Sequence, residues 1–194
     1  MASFTTKTAA WRIGRLIMGY AVELYVDAQM EFAVRGLWQT LADRGVTSLM
    51  PDLGARPHIS LTVFDELYPP DVHEALQNFA AEVAPIPLQF SAVGIFPTAE
   101  GVVFLAPVVT QRLLDVHADF HARMAALGRQ SLPYYRPGNW VPHCTVAMNL
   151  PPEQIPTAVA ICKAAPVFHA FSLVGLDLIE FRPVKTIYEF PLVG

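Results

Sequence analysis

The chain has 194 residues and a formal net charge of −4. An apolar share of 53% against 15% charged residues excludes a disordered chain and fits one well-buried domain or two small lobes. The acidic balance argues against a protein that coats long nucleic acid, which needs a broad basic face, but leaves room for a local site for a small anion or an RNA end.

Residues 1–17 carry Lys7, Arg12 and Arg15 with several hydroxyl residues and no acid. A transit peptide has such a composition, and so does a plain flexible extension; the extension is the simpler reading. A single two-lobed domain is expected over 18–194. Gly19 to Val26 reads as a strand, and Asp27 can cap a helix in which Met30, Val34, Leu37 and Leu41 recur at helical spacing, with Gly45 as its stop. A loop with Pro51, Gly54 and Pro57 leads to a strand over 58–65. Pro69-Pro70 opens a helix with Val72, Leu76, Phe79 and Val83 as its buried stripe. Strands follow over 87–95 and 102–108. The second half has a helix over 110–127 that buries Leu113, Phe120, Met124 and Leu127. A loop with Pro133, Pro137, Gly138 and Pro142 leads to another short strand. Pro151-Pro152 then opens a helix with Ile155, Val159 and Cys162 on one side, and strands close the chain over 167–175 and 184–192.

The strand after each of the two long loops opens on a similar tetrapeptide, His58-Ile59-Ser60-Leu61 and His143-Cys144-Thr145-Val146. Strand side chains alternate faces, so His58 and Ser60 share one face while Ile59 and Leu61 take the other, and likewise for His143 and Thr145. Such a strand lines a wet cleft while anchored in a core. Around the tetrads the chain repeats itself. Phe90-Ser91-Ala92-Val93-Gly94 matches Phe171-Ser172-Leu173-Val174-Gly175, 81 residues on, and the histidines lie 85 apart. Both tetrads are followed by Pro-Pro and a helix. The repetition predicts an internal duplication, units of about 18–108 and 109–194, and two similar α+β lobes of mainly antiparallel sheet with outer helices about a pseudo-two-fold axis. Which strands share a sheet stays open, because duplicated halves can exchange elements.

On these residues the chain resembles the 2H phosphoesterase superfamily, which includes the 2′-5′ RNA ligase-like proteins and cyclic nucleotide phosphodiesterases. Its mark is a pair of His-x-Ser/Thr-x tetrads roughly 80 to 90 residues apart, and here each also has a proline immediately before its histidine, Pro57 and Pro142. The resemblance covers about 18–192. It implies that His58 and His143 are the catalytic pair, that Ser60 and Thr145 hydrogen-bond phosphate oxygens, and that no metal or other cofactor takes part. Two histidines suit this chemistry, one neutral as base and one protonated as acid near neutral pH. Three readings stay open. The first is a phosphodiesterase opening cyclic phosphates or 2′-5′ linkages, the second a 2′-5′ RNA ligase-type transferase running the same displacement backwards, and the third a nucleotide- or RNA-end-binding module with little turnover. The expected partner is a nucleotide or short RNA end, with no membrane, for a monomer in the cytoplasm, or in an organelle if residues 1–17 are a transit peptide.

Three further side chains are candidates for substrate binding. Arg136 and Tyr135, in the loop ahead of the second tetrad, could bind a phosphate and stack a base, and Arg56 precedes the first tetrad in the same way. Trp140 reads as loop packing. His117 and His121 have a spacing that can bind zinc, but no Glu follows His117 as a metalloprotease-type helix requires, and His117 falls near the apolar stripe. Cys144 and Cys162 read as reduced core residues.

Overall fold

The computed structural model describes residues 19–181 and 184–194; the extension expected over 1–17 lies outside the described residues. The elements in chain order are β1 (Gly19–Val26), α1 (Ala28–Asp43), the single-turn α2 (Leu49–Asp52), β2 (His58–Phe64), α3 (His73–Glu82), β3 (Ile86–Ile95), β4 (Val103–Pro107), α4 (Gln111–Ala126), β5 (Cys144–Ala147), α5 (Ile155–Ala164), β6 (Ala170–Phe181) and β7 (Lys185–Pro191). The fold is α+β, with all described strand pairs antiparallel. No described helix is long and apolar enough to cross a membrane.

The strands run in the order β2-β1-β6-β3-β4-β5, with β7 paired to β6. The first three form one half of this seven-stranded sheet and the last three the other half. They are joined where the start of β6 pairs with the start of β3, Ile86 opposite Leu173 through Gln89 opposite Ala170. Beyond that stretch β7 takes over the same edge of β6. The order β1-α1-β2-α3-β3 thus recurs as β4-α4-β5-α5-β6, with β1 between β2 and β6 and β4 between β5 and β3. The last strand of each half of the chain lies among the strands of the other.

The helices cross over as well. α1 lies against β5 and α5 against β3 and β4, while α3 packs on β6, on β7 and on α4. Phe79 of α3 and Phe120 of α4 meet edge to face at 5.4 Å, both fully buried. β1 gives Val22, Leu24 and Val26 to the core and turns Glu23 and Tyr25 to the other face. Leu127, expected in the buried stripe of α4, instead lies at the C-cap and is 44% exposed, because the helix ends one residue before it; Val116 and His117 complete the stripe. β6 runs six residues past the expected end at 175, because β1 and β7 flank it as far as Phe181 and Glu180 respectively. Gly94 and Gly175, matched by sequence, lie within strands where an aromatic ring crosses the backbone. A Cβ there would come within 2.3 Å of the Phe104 ring or 1.9 Å of the Tyr25 ring.

Asp27 ties the first helix to the sheet junction. Its Oδ1 accepts from the Met30 N–H at 2.9 Å, capping α1, and its Oδ2 accepts from the Ser172 N–H of β6 at 2.7 Å. Asp27→Ala should cost about 1–3 kcal/mol in urea unfolding, since it orphans two backbone donors at once. A loss below about 0.5 kcal/mol would show that the cap and the junction are held by other contacts.

Candidate active site

The two tetrads adopt the same local structure. His58, Ser60, His143 and Thr145 are each half-buried, while Ile59, Leu61, Cys144 and Val146 are buried. In both strands the register then slips at the fourth residue. Glu23 faces Ser60 but Val22 faces Thr62, which leaves Leu61 as the extra residue of a bulge. Phe104 faces Thr145 but Val103 faces Ala147, which leaves Val146 in the same position. A bulge breaks strict alternation, so Leu61 with Thr62, and Val146 with Ala147, are buried in succession. The polar half of each tetrad thereby stays on the less buried face while two consecutive residues anchor the strand.

The histidines are held alike. His58 Nδ1 lies 2.6 Å from the carbonyl of Arg56, and His143 Nδ1 lies 2.7 Å from the carbonyl of Val141, in each case two residues back. A carbonyl only accepts, so both rings carry a hydrogen on Nδ1 and present Nε2 outwards. The strands themselves touch, and the Cys144 thiol lies within hydrogen-bonding reach of the His58 main chain. Burial is the first cause that holds His143 below the usual imidazole range, and the charge of His58 adds to it. His143 therefore feels His58. The hydroxyls of Ser60 and Thr145 make no hydrogen bond within the described residues, which leaves both available to oxygens of a bound group.

The surroundings of the two rings differ. His143 stands edge-on to Phe96 at 4.9 Å and tilted against Phe104 at 5.3 Å. His58 Nε2 lies 3.2 Å from Oε1 of Glu23, a carboxyl only 6% exposed that burial pushes up to about 8. Sequence reading missed Glu23. The available signal was a single acid in the otherwise apolar run Val22-Glu23-Leu24, but its meaning depended on the register with β2. Opposite Glu23 on β6 stands Asp177, and opposite Asp177 on β7 stands Glu189, so carboxyls run in a row across three strands. Burial, with Glu189 beside it, pushes Asp177 up to about 7, and its Oδ1 has no hydrogen-bond partner among the described residues.

Arg56 closes this row. Its guanidinium meets Glu31 at 3.0 Å, Glu189 at 2.9 Å and Asp177 at 3.7 Å, and it lies over the Tyr25 ring at 3.6 Å. It is therefore committed to carboxylates and not turned to the cleft as a free cation. Tyr135 and Arg136 diverge although adjacent. Tyr135 comes near enough to Glu23 for that carboxyl to help raise its phenol, pushed up to about 12 first by burial. Arg136 donates from Nε to the Ser131 carbonyl at 2.9 Å, towards His121. Trp140 donates to the Ser60 carbonyl at 3.0 Å and stacks on His117 at 3.8 Å. His117 and His121 are tied to the carbonyls of Tyr135 and Leu61, at 2.9 and 3.2 Å, so this pair pins α4 to β2 and to the loop ahead of the second tetrad.

Comparison with known proteins agrees with this architecture. The family profile of the 2′-5′ RNA ligase superfamily matches residues 34–183. No curated protein matches the chain. Among solved structures, TT0787 of Thermus thermophilus is similar with 18% identity and a TM-score of 0.63, over 91% of this chain and 99% of that one. LigT of Escherichia coli complexed with 3′-AMP is similar with 11% identity and a TM-score of 0.59, over 91% and 98%.

The buried acid row has a pH signature. Asp177 has its native value raised to about 7 from an ordinary 3.8, so its contribution to stability is fully present below about pH 4 and is lost as pH climbs towards 7. Asp177→Asn does not titrate. Thermal melts between pH 4 and 8 should therefore show the variant gaining on the parent across that window. A gap between the two that is independent of pH would mean that Asp177 is ionised throughout.

Proposed function

The chain belongs to the 2′-5′ RNA ligase superfamily, the 2H phosphoesterases, and from that premise we propose that it opens cyclic phosphates or 2′-5′ phosphodiesters of nucleotides or short RNA ends by two-histidine acid–base catalysis. One observation carries this reading. Two tetrads from the two halves present Nε2 and a free hydroxyl by the same backbone device, on strands that touch, which supports one shared site. We read the repeated order of elements as an internal duplication. That LigT, a protein of the same fold, has been solved with 3′-AMP supports a nucleotide as the ligand class.

In-line displacement at phosphorus needs a base on the entering oxygen and an acid on the leaving one, and two imidazoles flanking one phosphate supply both. The Ser60 and Thr145 hydroxyls would donate to the non-bridging oxygens as charge develops on them. Tyr135, by its place beside Glu23, is the candidate from the loop for contact with the rest of the nucleotide; Arg136 and Arg56 are held elsewhere. Neither step calls on a metal, and ligation would be the same displacement with a 5′-hydroxyl in the place of water.

Purified protein should turn over a panel of 2′,3′-cyclic mononucleotides or 2′-5′ dinucleotides with chelator present. His58→Ala and His143→Ala should each lower turnover by about 10² to 10⁴, and the double variant by less than the product, because the pair acts as one unit. Full activity in either single variant would overturn the assignment. Ligation of RNA halves without hydrolysis of the small substrates would select the transferase, and tight binding with negligible turnover the binding module.

A further inference from the structure

The tetrads are alike, but what stands beside them is not. At the position where β1 faces Ser60 the chain has Glu23, and at the position where β4 faces Thr145 it has Phe104. Resting on the acid–base reading above, we infer that Glu23 is the proton partner of His58 and thereby makes His58 the acid and His143 the base.

The geometry leaves one proton to place between Glu23 and His58. Nδ1 of His58 is occupied by its hydrogen bond to the Arg56 carbonyl, so Nε2 faces Glu23 Oε1. If the ring is neutral, Nε2 is a lone pair and the carboxyl must carry the hydrogen; if the ring is an imidazolium, the carboxyl is ionised. Both forms are net neutral, so burial tolerates either, and the dyad titrates as a unit. The other charged and titratable groups around Glu23 favour keeping that proton. Asp177 stands opposite on β6, Tyr135 approaches from the loop, and the Cys144 thiol lies beyond. The nearby cation, Arg56, is shared among Glu31, Glu189 and Asp177. Burial raises Glu23 to about 8 and lowers His58, which places the resting proton on the carboxyl. A phosphodiester beside Nε2 brings negative charge that draws the proton onto the ring. The 3.2 Å contact is longer than a closed charge-assisted bond of about 2.7–2.9 Å, so the hydrogen can be shared with an incoming oxygen.

His143 has no such reservoir. Its Nε2 meets no carboxylate among the described residues, Phe96 and Phe104 flank the ring, and a proton on His58 opposes one on His143. It rests neutral, as a base must. In the hydrolytic direction the step balances as follows. His143 Nε2 takes one proton from water, the water oxygen bonds to phosphorus, and the bond from phosphorus to the leaving oxygen breaks. That oxygen takes the dyad's proton from His58 Nε2. Glu23 is left ionised beside a neutral ring, and the dyad recovers its proton through solvent as His143 releases one. Glu23 acts through His58 and is a positioning residue.

The test is kcat against pH on a 2′,3′-cyclic mononucleotide for the parent, Glu23→Gln and Glu23→Asp. The alkaline limb of the bell reports the dyad and the acid limb reports His143. Glu23→Gln removes the counter-charge, so the imidazolium gives up its proton sooner; the alkaline limb should move down by about 1 to 3 pH units and kcat should fall about 10- to 100-fold, with the acid limb in place. Glu23→Asp should retain much of the parent's alkaline limb. A parent-like profile in Glu23→Gln, or movement of the acid limb alone, would overturn the inference. If Glu23→Gln does not fold, ring-nitrogen NMR of the intact parent with inorganic phosphate decides: His58 should hold its proton to higher pH than His143, and the reverse order overturns the assignment. A parent that shows this order and turns over no substrate would sink the proposed function while leaving the dyad standing.

Discussion

The short antiparallel pairing of β3 with β6 is the constraint on which the rest of this structure depends. It runs only from Ile86 opposite Leu173 to Gln89 opposite Ala170, yet among the described residues it is the one place where the two halves of the sheet pair with each other. Since β6 comes from the second half and sits beside β1, while β3 comes from the first half and sits beside β4, neither half of the sheet is complete without the other half of the chain. Phe90 and Phe171, equivalent by sequence, meet at 4.5 Å beside this junction and fill it with apolar surface. The link sets how β2 and β5 approach, and so brings the two tetrads together from distant parts of the sequence. Asp27, bonded to Ser172 next to the junction, couples the first helix to the same point.

On this nearly symmetric frame the functional difference comes from a few side chains on β1 and β4. A symmetric site would give both imidazoles the same proton affinity, whereas acid–base work needs one charged and one neutral at the same pH. Equal backbone hydrogen bonds at Nδ1 fix the tautomers, and unequal neighbours at the ring separate the affinities. On the proposed reading, the like backbone settings supply the geometry, and a carboxyl beside one ring against aromatics beside the other supplies the chemistry.

The parts legible in the sequence were those governed by local pattern. The tetrads, the helix stripes and the cap at Asp27 follow from short-range periodicity and hydrogen bonding, and nearly every element lies within a few residues of where those signals put it. The tertiary decisions were not legible in the same way. Nothing local tells that β6 leaves the second half to lie beside β1, or that Leu61 and Val146 are bulged, because a bulge is a relation between two strands. Glu23 was hidden for the same reason: its role depends on which residue of β2 stands opposite. The partners of Arg56 were hidden in the same way. An arginine two residues before a catalytic-looking histidine suggests a phosphate ligand, but Glu31, Glu189 and the Tyr25 face compete for it from elements far away in sequence.

The proposed phosphodiester site beside a row of acids calls for a physical explanation, since ionised carboxylates would repel such a ligand. The structure removes that charge in two ways. Glu23 is buried deeply enough that its neutral form is favoured at neutral pH, and Asp177 is raised to about 7 by the same cause. The more exposed members, Glu31 and Glu189, are paired with Arg56, whose planar guanidinium bonds to one through Nε and the other through Nη1 while its face rests on Tyr25. That face is available because Gly175 leaves room for the Tyr25 ring beneath it. A lysine at position 56 would keep the charge but lose both the fork and the stack, and so would leave part of the row uncompensated. Arg56 thus compensates the outer acids, and since a cation beside Asp177 favours its ionised form, it is burial that keeps the proton on the inner acids against that pull.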